Sequence, residues 1–109
     1  WCRMIVEIVR FGHPAGTTRE QVVEGALATV DRWRANPELL RKFYLLSTDQ
    51  SEGIGIYVWS SIEAAQCGHD AVWIAQAEQR SGGSVRIEYH ELLLELDNVA
   101  GQLLRHDAR

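Results

Sequence analysis

Hydrophobic and polar positions divide the chain into stretches of two different periods. Arg3 to Phe11 is rich in Ile and Val and alternates imperfectly with polar residues, which predicts a first strand. Gly12-His13-Pro14-Ala15-Gly16 interrupts it, and Thr17 with Glu20 stands at capping-box spacing for a helix. That helix carries Val23, Ala26, Leu27, Val30 and Trp33 along one face. It should end before Pro37, which pushes Asn36 away from helical ψ. Leu39 to Ser47 reads as a second strand, and Thr48-Asp49-Gln50-Ser51-Glu52 as the turn of a hairpin. Ile54 to Trp59, uncharged and preceded by Gly53, is a third strand that runs into a second capping box at Ser60 and Glu63. A break near Gly68-His69-Asp70 then starts another helical piece to Arg80, with Asp70 as its cap and Ser81-Gly82-Gly83-Ser84 as its exit. Val85 to Leu96 predicts a last, long strand.

Strand, helix, strand therefore occurs twice, which is the order of the ferredoxin-like split βαβ architecture. The expectation is an α+β fold with a four-stranded antiparallel sheet and helices on one face. Residues 1–98 form this single domain, and 99–109 follow as a tail in which Val99 to Leu104 would make a short helix. Helices on one face leave the other bare. Yet Ile54 to Trp59 is apolar on both faces, and Leu92-Leu93-Leu94 offers apolar side chains in both directions. A bare apolar face of that size predicts a homodimer through the sheet.

Composition narrows the function classes. The 109 residues, 46% hydrophobic and 24% charged, suit one globular domain with a thin core. A formal charge of -4 gives no footprint for nucleic acid or an anionic membrane, so neither is expected as a partner. Cys2 and Cys67 are too few for a disulfide scaffold and read as free thiols in a reducing cytoplasm. No apolar run approaches the ~20 residues of a membrane span, and no signal peptide precedes the first strand. Trp1 in place of Met reads as a trimmed start or a fragment.

Four segments carry a family likeness: Gly16-Thr17-Thr18-Arg19-Glu20-Gln21, Leu40-Arg41-Lys42-Phe43-Tyr44-Leu45-Leu46, Gly55-Ile56-Tyr57-Val58-Trp59 with Ser60 to Ala65, and Leu94-Glu95-Leu96-Asp97-Asn98. With these the chain resembles the YdhR-like monooxygenase family of dimeric α/β-barrel proteins, within the antibiotic-biosynthesis monooxygenase superfamily. The resemblance implies a homodimer with facing sheets and, in each subunit, a ligand cavity between sheet and helices. It also implies oxygenation of an electron-rich aromatic compound with no metal, flavin or other cofactor. In the superfamily a histidine commonly follows the strand-end tryptophan in the short helix. Here that place is Gly68 and the imidazole comes at His69, a rotation of about 100° on a helix.

Such chemistry needs aromatic walls, a base that titrates near neutrality and a hydrogen-bond donor for oxygen. Tyr57 is a catalytic candidate with His69. Tyr44, Trp59, Trp73 and His90 are candidates for binding a small aromatic ligand, and His90 is also a candidate base. Tyr57 and Trp59 are two apart on a strand and share a face. Aromatics in a half-buried strand also fill core and interface, so a non-redox member of the same fold, a cyclase, isomerase or small-molecule carrier, stays open as the alternative. Cys67-x-His69 lacks the second ligand pair of a closed zinc site. Gly53-Ile54-Gly55 leads into a strand, not a helix, and cannot cradle a pyrophosphate. An RNA-recognition motif would place rings where Ile54 and Ile56 stand.

Overall fold

Alternation is expressed most cleanly in β1 (Ile5–Gly12), where Glu7 and Val9 are buried and their neighbours are half-buried. A computed structural model describes residues 3–107. After β1 come α1 (Arg19–Leu27), α2 (Val30–Arg34), β2 (Leu39–Leu46), β3 (Glu52–Trp59), α3 (Ile62–Gly68), α4 (Ala71–Ser81), β4 (Arg86–Glu91), β5 (Leu94–Asp97) and β6 (Gln102–Arg105). The main sheet has the order β2-β3-β1-β4 with every pair antiparallel, and the helices lie on one face. This is the ferredoxin-like α+β arrangement.

Both N-caps sit one residue later than their spacing suggests. The Thr17 hydroxyl donates to the Pro14 carbonyl at 2.6 Å and is held in the turn. Thr18 is then the cap of α1, in a reciprocal box with Gln21 (3.1 and 2.9 Å). Likewise Ser60 donates to the Glu38 carboxylate at 2.7 Å, while Ser61 caps α3 by accepting from the Ala64 N–H at 3.1 Å. Asp70 caps α4 through the Trp73 N–H at 2.9 Å, and Gly82 at φ 75 ends it, both as the sequence predicts.

Three expectations are corrected. The first helix is not continuous: the Thr29 hydroxyl donates back to the Ala26 carbonyl at 2.8 Å where α1 ends, and α2 begins at Val30. The last strand is also not continuous. β4 stops at Glu91, and β5 pairs with β6 in a separate hairpin, Leu94 opposite Arg105 and Asp97 opposite Gln102. The Asp97 carboxylate accepts from the N–H groups of Val99 and Ala100, each at 3.0 Å, and Gly101 at φ 68 completes the turn. Residues 99–104 are therefore a turn and a strand, not the helix expected in the tail.

The core lies between sheet and helices and is built on Val9, Trp33, Tyr57, Trp59 and Ala65. The sheet's other face carries apolar rows set by the register: Phe43, Ile56 and Ile8 in one, with Val58 beside Val6 in the next. Phe43 and Leu45 remain 48% and 41% exposed. Cys67 is an exposed free thiol, and Cys2 lies outside the described residues. No helix among the described residues is long and apolar enough to cross a membrane.

Candidate active site

Register places four polar or aromatic side chains in one row across the helix-facing side of the sheet: Lys42 beside Tyr57, Tyr57 beside Glu7, Glu7 beside Tyr89. The row divides that surface into a closed end and an open end.

At the closed end Trp59 is fully buried and its indole N–H donates to Glu7 Oε1 at 2.8 Å. His69 Nδ1 lies 2.7 Å from the same oxygen, and both Glu7 and His69 are buried. The imidazole sits among Trp73 (ring centroids 4.3 Å apart), Tyr57 (4.5 Å) and Trp33 (5.0 Å). Its inward aim has a local cause. A Cβ at position 68 would come within 2.5 Å of the Trp59 ring, so glycine is required there. His69 follows as the C-cap of α3 with φ -126 and ψ 67, off the helix, and the chain turns its side chain inward. The rotation argued for a continuous helix does not apply at this residue.

At the open end β3 presents Gly55 and Gly53 where β1 presents Val9 and Phe11. Added Cβ atoms would stand 2.7 Å from the Tyr57 ring at Gly55 and 2.7 Å from the Phe11 ring at Gly53. The two rings thus lie over glycines, and above them opens a cavity of about 650 Å³ walled by Phe11, Tyr44, Tyr57 and Trp73. The apolar stripe of α1 contributes Val23, Ala26 and Leu27 to this cavity, which is why Val23 and Leu27 keep 44% and 65% exposure.

Lys42 stands at the boundary between the two ends. Its Nζ donates to the Tyr57 hydroxyl at 2.5 Å and lies over the rings of Tyr57 (3.7 Å) and Tyr44 (4.1 Å). Desolvation lowers the ammonium from 10.5 to about 7, outweighing the opposing pull of the Glu7 charge, while Arg32 adds a little to the lowering. Desolvation, and then the charges of Glu7 and Tyr44, push the Tyr57 phenol well above its ordinary range. The Tyr89 phenol is pushed up to about 12, by burial first and by Glu7 second. The cavity thus holds an amine that can be neutral at neutral pH, in contact with a phenol that keeps its proton. Tyr44 is positioned by a 3.0 Å hydrogen bond between its hydroxyl and that of Thr29.

Of the residues singled out from sequence, Tyr44, Tyr57 and Trp73 line the cavity. Trp59 and His69 lie behind it in the closed end, with His69 against the backs of Tyr57 and Trp73. His90 is not brought to the site: it pairs with Val6 on the opposite face of the sheet and is exposed, as alternation from Tyr89 requires. Two residues escaped the sequence reading, Lys42 and Glu7. Each shares the parity of inward side chains, Lys42 with Tyr44 and Glu7 with Val9, and Lys42 is the chain's one lysine. A charge on the inward parity of a strand is the signal that marks both.

No protein-family model and no curated protein matches the chain. Solved structures do. The ActVA-Orf6 monooxygenase of Streptomyces coelicolor, seen with the ligand nanaomycin D, is 24% identical, with a TM-score of 0.63 over 83% of this chain and 88% of that one. SnoaB, a cofactor-independent oxygenase from Streptomyces nogalater, is 13% identical at TM-score 0.62, over 87% and 98% of the two chains. A protein of unknown function from Nitrosomonas europaea is 17% identical at TM-score 0.66, over 84% and 90%. The strand order, the helices on one face and these likenesses agree: the chain shares its ferredoxin-like α+β fold with these proteins.

Proposed function

We propose that the chain is a cofactor-independent monooxygenase of a small electron-rich aromatic or polyketide-like compound. The observation that carries this reading is the Lys42–Tyr57 contact at 2.5 Å inside an aromatic-walled cavity of about 650 Å³. That volume lies within the ~300–1,000 Å³ of small-molecule sites. Support of a second kind comes from two proteins of the same fold, one a monooxygenase seen with nanaomycin D and the other a cofactor-independent oxygenase. The YdhR-like group within the superfamily is favoured by the residue resemblance alone.

The chemistry suits a phenol with a free para carbon. The substrate ring lies against Tyr44, Tyr57 and Trp73, and neutral Lys42 Nζ takes the phenolic proton through its lone pair. The phenolate's electron pair reaches the para carbon, which bonds to dioxygen. Tyr57, still protonated, donates a hydrogen bond to the developing peroxide oxygen. The Lys42 ammonium returns the phenolic proton to the peroxide, and loss of the para proton with cleavage of the O–O bond then leaves a quinone, one water and neutral Lys42, so one dioxygen is consumed for each phenol oxidised. The bare apolar face of the sheet joins two such subunits in a homodimer, with one cavity in each.

Oxygen uptake by metal-free protein with 1-naphthol or a dihydroxyanthracene tests the reading. Quinone formed in equal amount to oxygen consumed is the expected result, with a rate at least about 100-fold lower in Lys42→Met. Binding of these phenols without oxygen uptake would overturn it in favour of a carrier or a non-redox enzyme of the same fold.

A further inference from the structure

Basic side chains and no carboxylates line the cavity. Its lining includes Arg19, Lys42, Arg80 and His13, and no Asp or Glu. The whole chain has 15 Asp and Glu against 11 Lys and Arg, so a lining that took charges in proportion would hold more acids than bases. Arg3, Arg10, Arg34, Arg41, Arg86 and Arg105 each have a carboxylate partner within 4 Å, whereas Arg19, Arg80 and Lys42 in the lining, and Arg32 outside it, have none among the described residues.

The permanent positive charges are those of Arg19 at the start of α1 and Arg80 in the last turn of α4, both exposed, while Lys42 is half-buried on the sheet and is the amine that can be neutral at neutral pH. His13 Nε2 is buried without a hydrogen-bond partner among the described residues. A side recess of about 170 Å³ shares Phe11, His13, Trp73 and Arg80 with the main cavity, so His13 and Arg80 border both. Unpaired cations around an apolar chamber attract anions and reject cations, because the low-dielectric walls concentrate their field.

We infer that the cavity selects an aromatic acid, its ring among Tyr44, Tyr57 and Trp73 and its carboxylate held at the mouth by Arg19 and Arg80. That this acid is a substrate rests on the monooxygenase reading above; that it is the preferred ligand rests on the charges alone. Arg–carboxylate contacts are charge-assisted and directional, so they fix which end of the molecule enters last. The phenolic oxygen is then the end that reaches Lys42.

The test compares 5-hydroxy-2-naphthoate with 5-hydroxy-2-naphthamide, the same ring and phenol without the negative charge. Dissociation constants are read from tryptophan fluorescence, and oxygen uptake is followed in parallel. At about 50 mM salt the acid should bind at least about 10-fold more tightly than the amide, an advantage that shrinks several-fold near 0.5 M. Arg19→Gln with Arg80→Gln, both exposed positions, should weaken the acid about 10-fold and leave the amide unchanged. Equal affinities for acid and amide, no binding of either, or an acid preference untouched in the double variant would each overturn the inference. Acid-selective binding without oxygen uptake would support it and contradict the monooxygenase reading. Equal oxidation of the amide would do the reverse.

Discussion

Along the helix-facing side of β3, Trp59 and Tyr57 close one end of the sheet while Gly55 and Gly53 leave the other open. Both ends share the same strands, the same register and the same helical cover. What differs is side-chain volume at every second residue of one strand. At the closed end the indole of Trp59 fills the space so completely that residue 68 of the facing helix must be glycine, and Glu7 is needed to accept the indole N–H. At the open end the missing side chains become a cavity floor over which Tyr57 and Phe11 lie. The row of Lys42, Tyr57 and Glu7 is the seam, where a charge is desolvated by the core on one side and reachable from the cavity on the other.

This contrast can be broken from either end. Trp59→Ala should have the largest effect, about 3–5 kcal/mol of stability by urea unfolding, since it empties the most buried ring and removes a donor from Glu7. A loss below about 1 kcal/mol would mean that the closed end is not the core. Gly55→Ala places a methyl 2.7 Å from the Tyr57 ring and should cost about 1–3 kcal/mol. It should also displace Tyr57 and weaken binding of aromatic ligands, whereas unaltered affinity would detach the glycines from the cavity. Gly25→Ala, on α1 where an added Cβ meets nothing, should instead stabilise by up to about 1 kcal/mol.

Lys42 makes the stability of the seam depend on pH. Its folded-state value of about 7 lies below its ordinary 10.5, so between those limits the unfolded chain binds more protons than the folded one. Stability conferred by this group therefore rises as pH increases from about 7 to 10.5, and the penalty for the buried charge is fully present below 7. Lys42→Met should accordingly raise the melting temperature most at pH 6 and progressively less toward pH 10. A melting temperature difference independent of pH would show that Lys42 is not desolvated in the folded protein.

Much of this arrangement is legible in the sequence, and the reasons for the rest are physical. Alternation and capping residues located the four sheet strands and the start of α4, because backbone period and orphan N–H groups are local matters. The caps at Thr18 and Ser61 were displaced by one because adjacent hydroxyl residues compete for the role, and the loser is decided by a partner elsewhere, Pro14 or Glu38. The split at Thr29 falls at a side-chain bond to Ala26, and the hairpin after Leu93 depends on the Asp97 turn. Neither leaves a mark in hydrophobic period. In the site, strand parity alone brought Tyr44 and Tyr57 together, while His90 failed by the same parity. His69 points inward only because Gly68 and the end of α3 turn the chain there. Lys42 and Glu7 were visible as inward charges, but the general rule that charges face water conceals residues of this kind.

On the proposed reading, the seam between the closed and open ends performs proton chemistry on a bound phenol. The most direct test is the pH dependence of kcat/KM for oxygen uptake with a dihydroxyanthracene, for the unaltered chain and for Lys42→Met. The expected rate climbs through about pH 7 as Lys42 becomes a neutral base, and the Lys42→Met rate is low and lacks this rise. A Lys42→Met variant that retained the full rate and the same pH profile would contradict it.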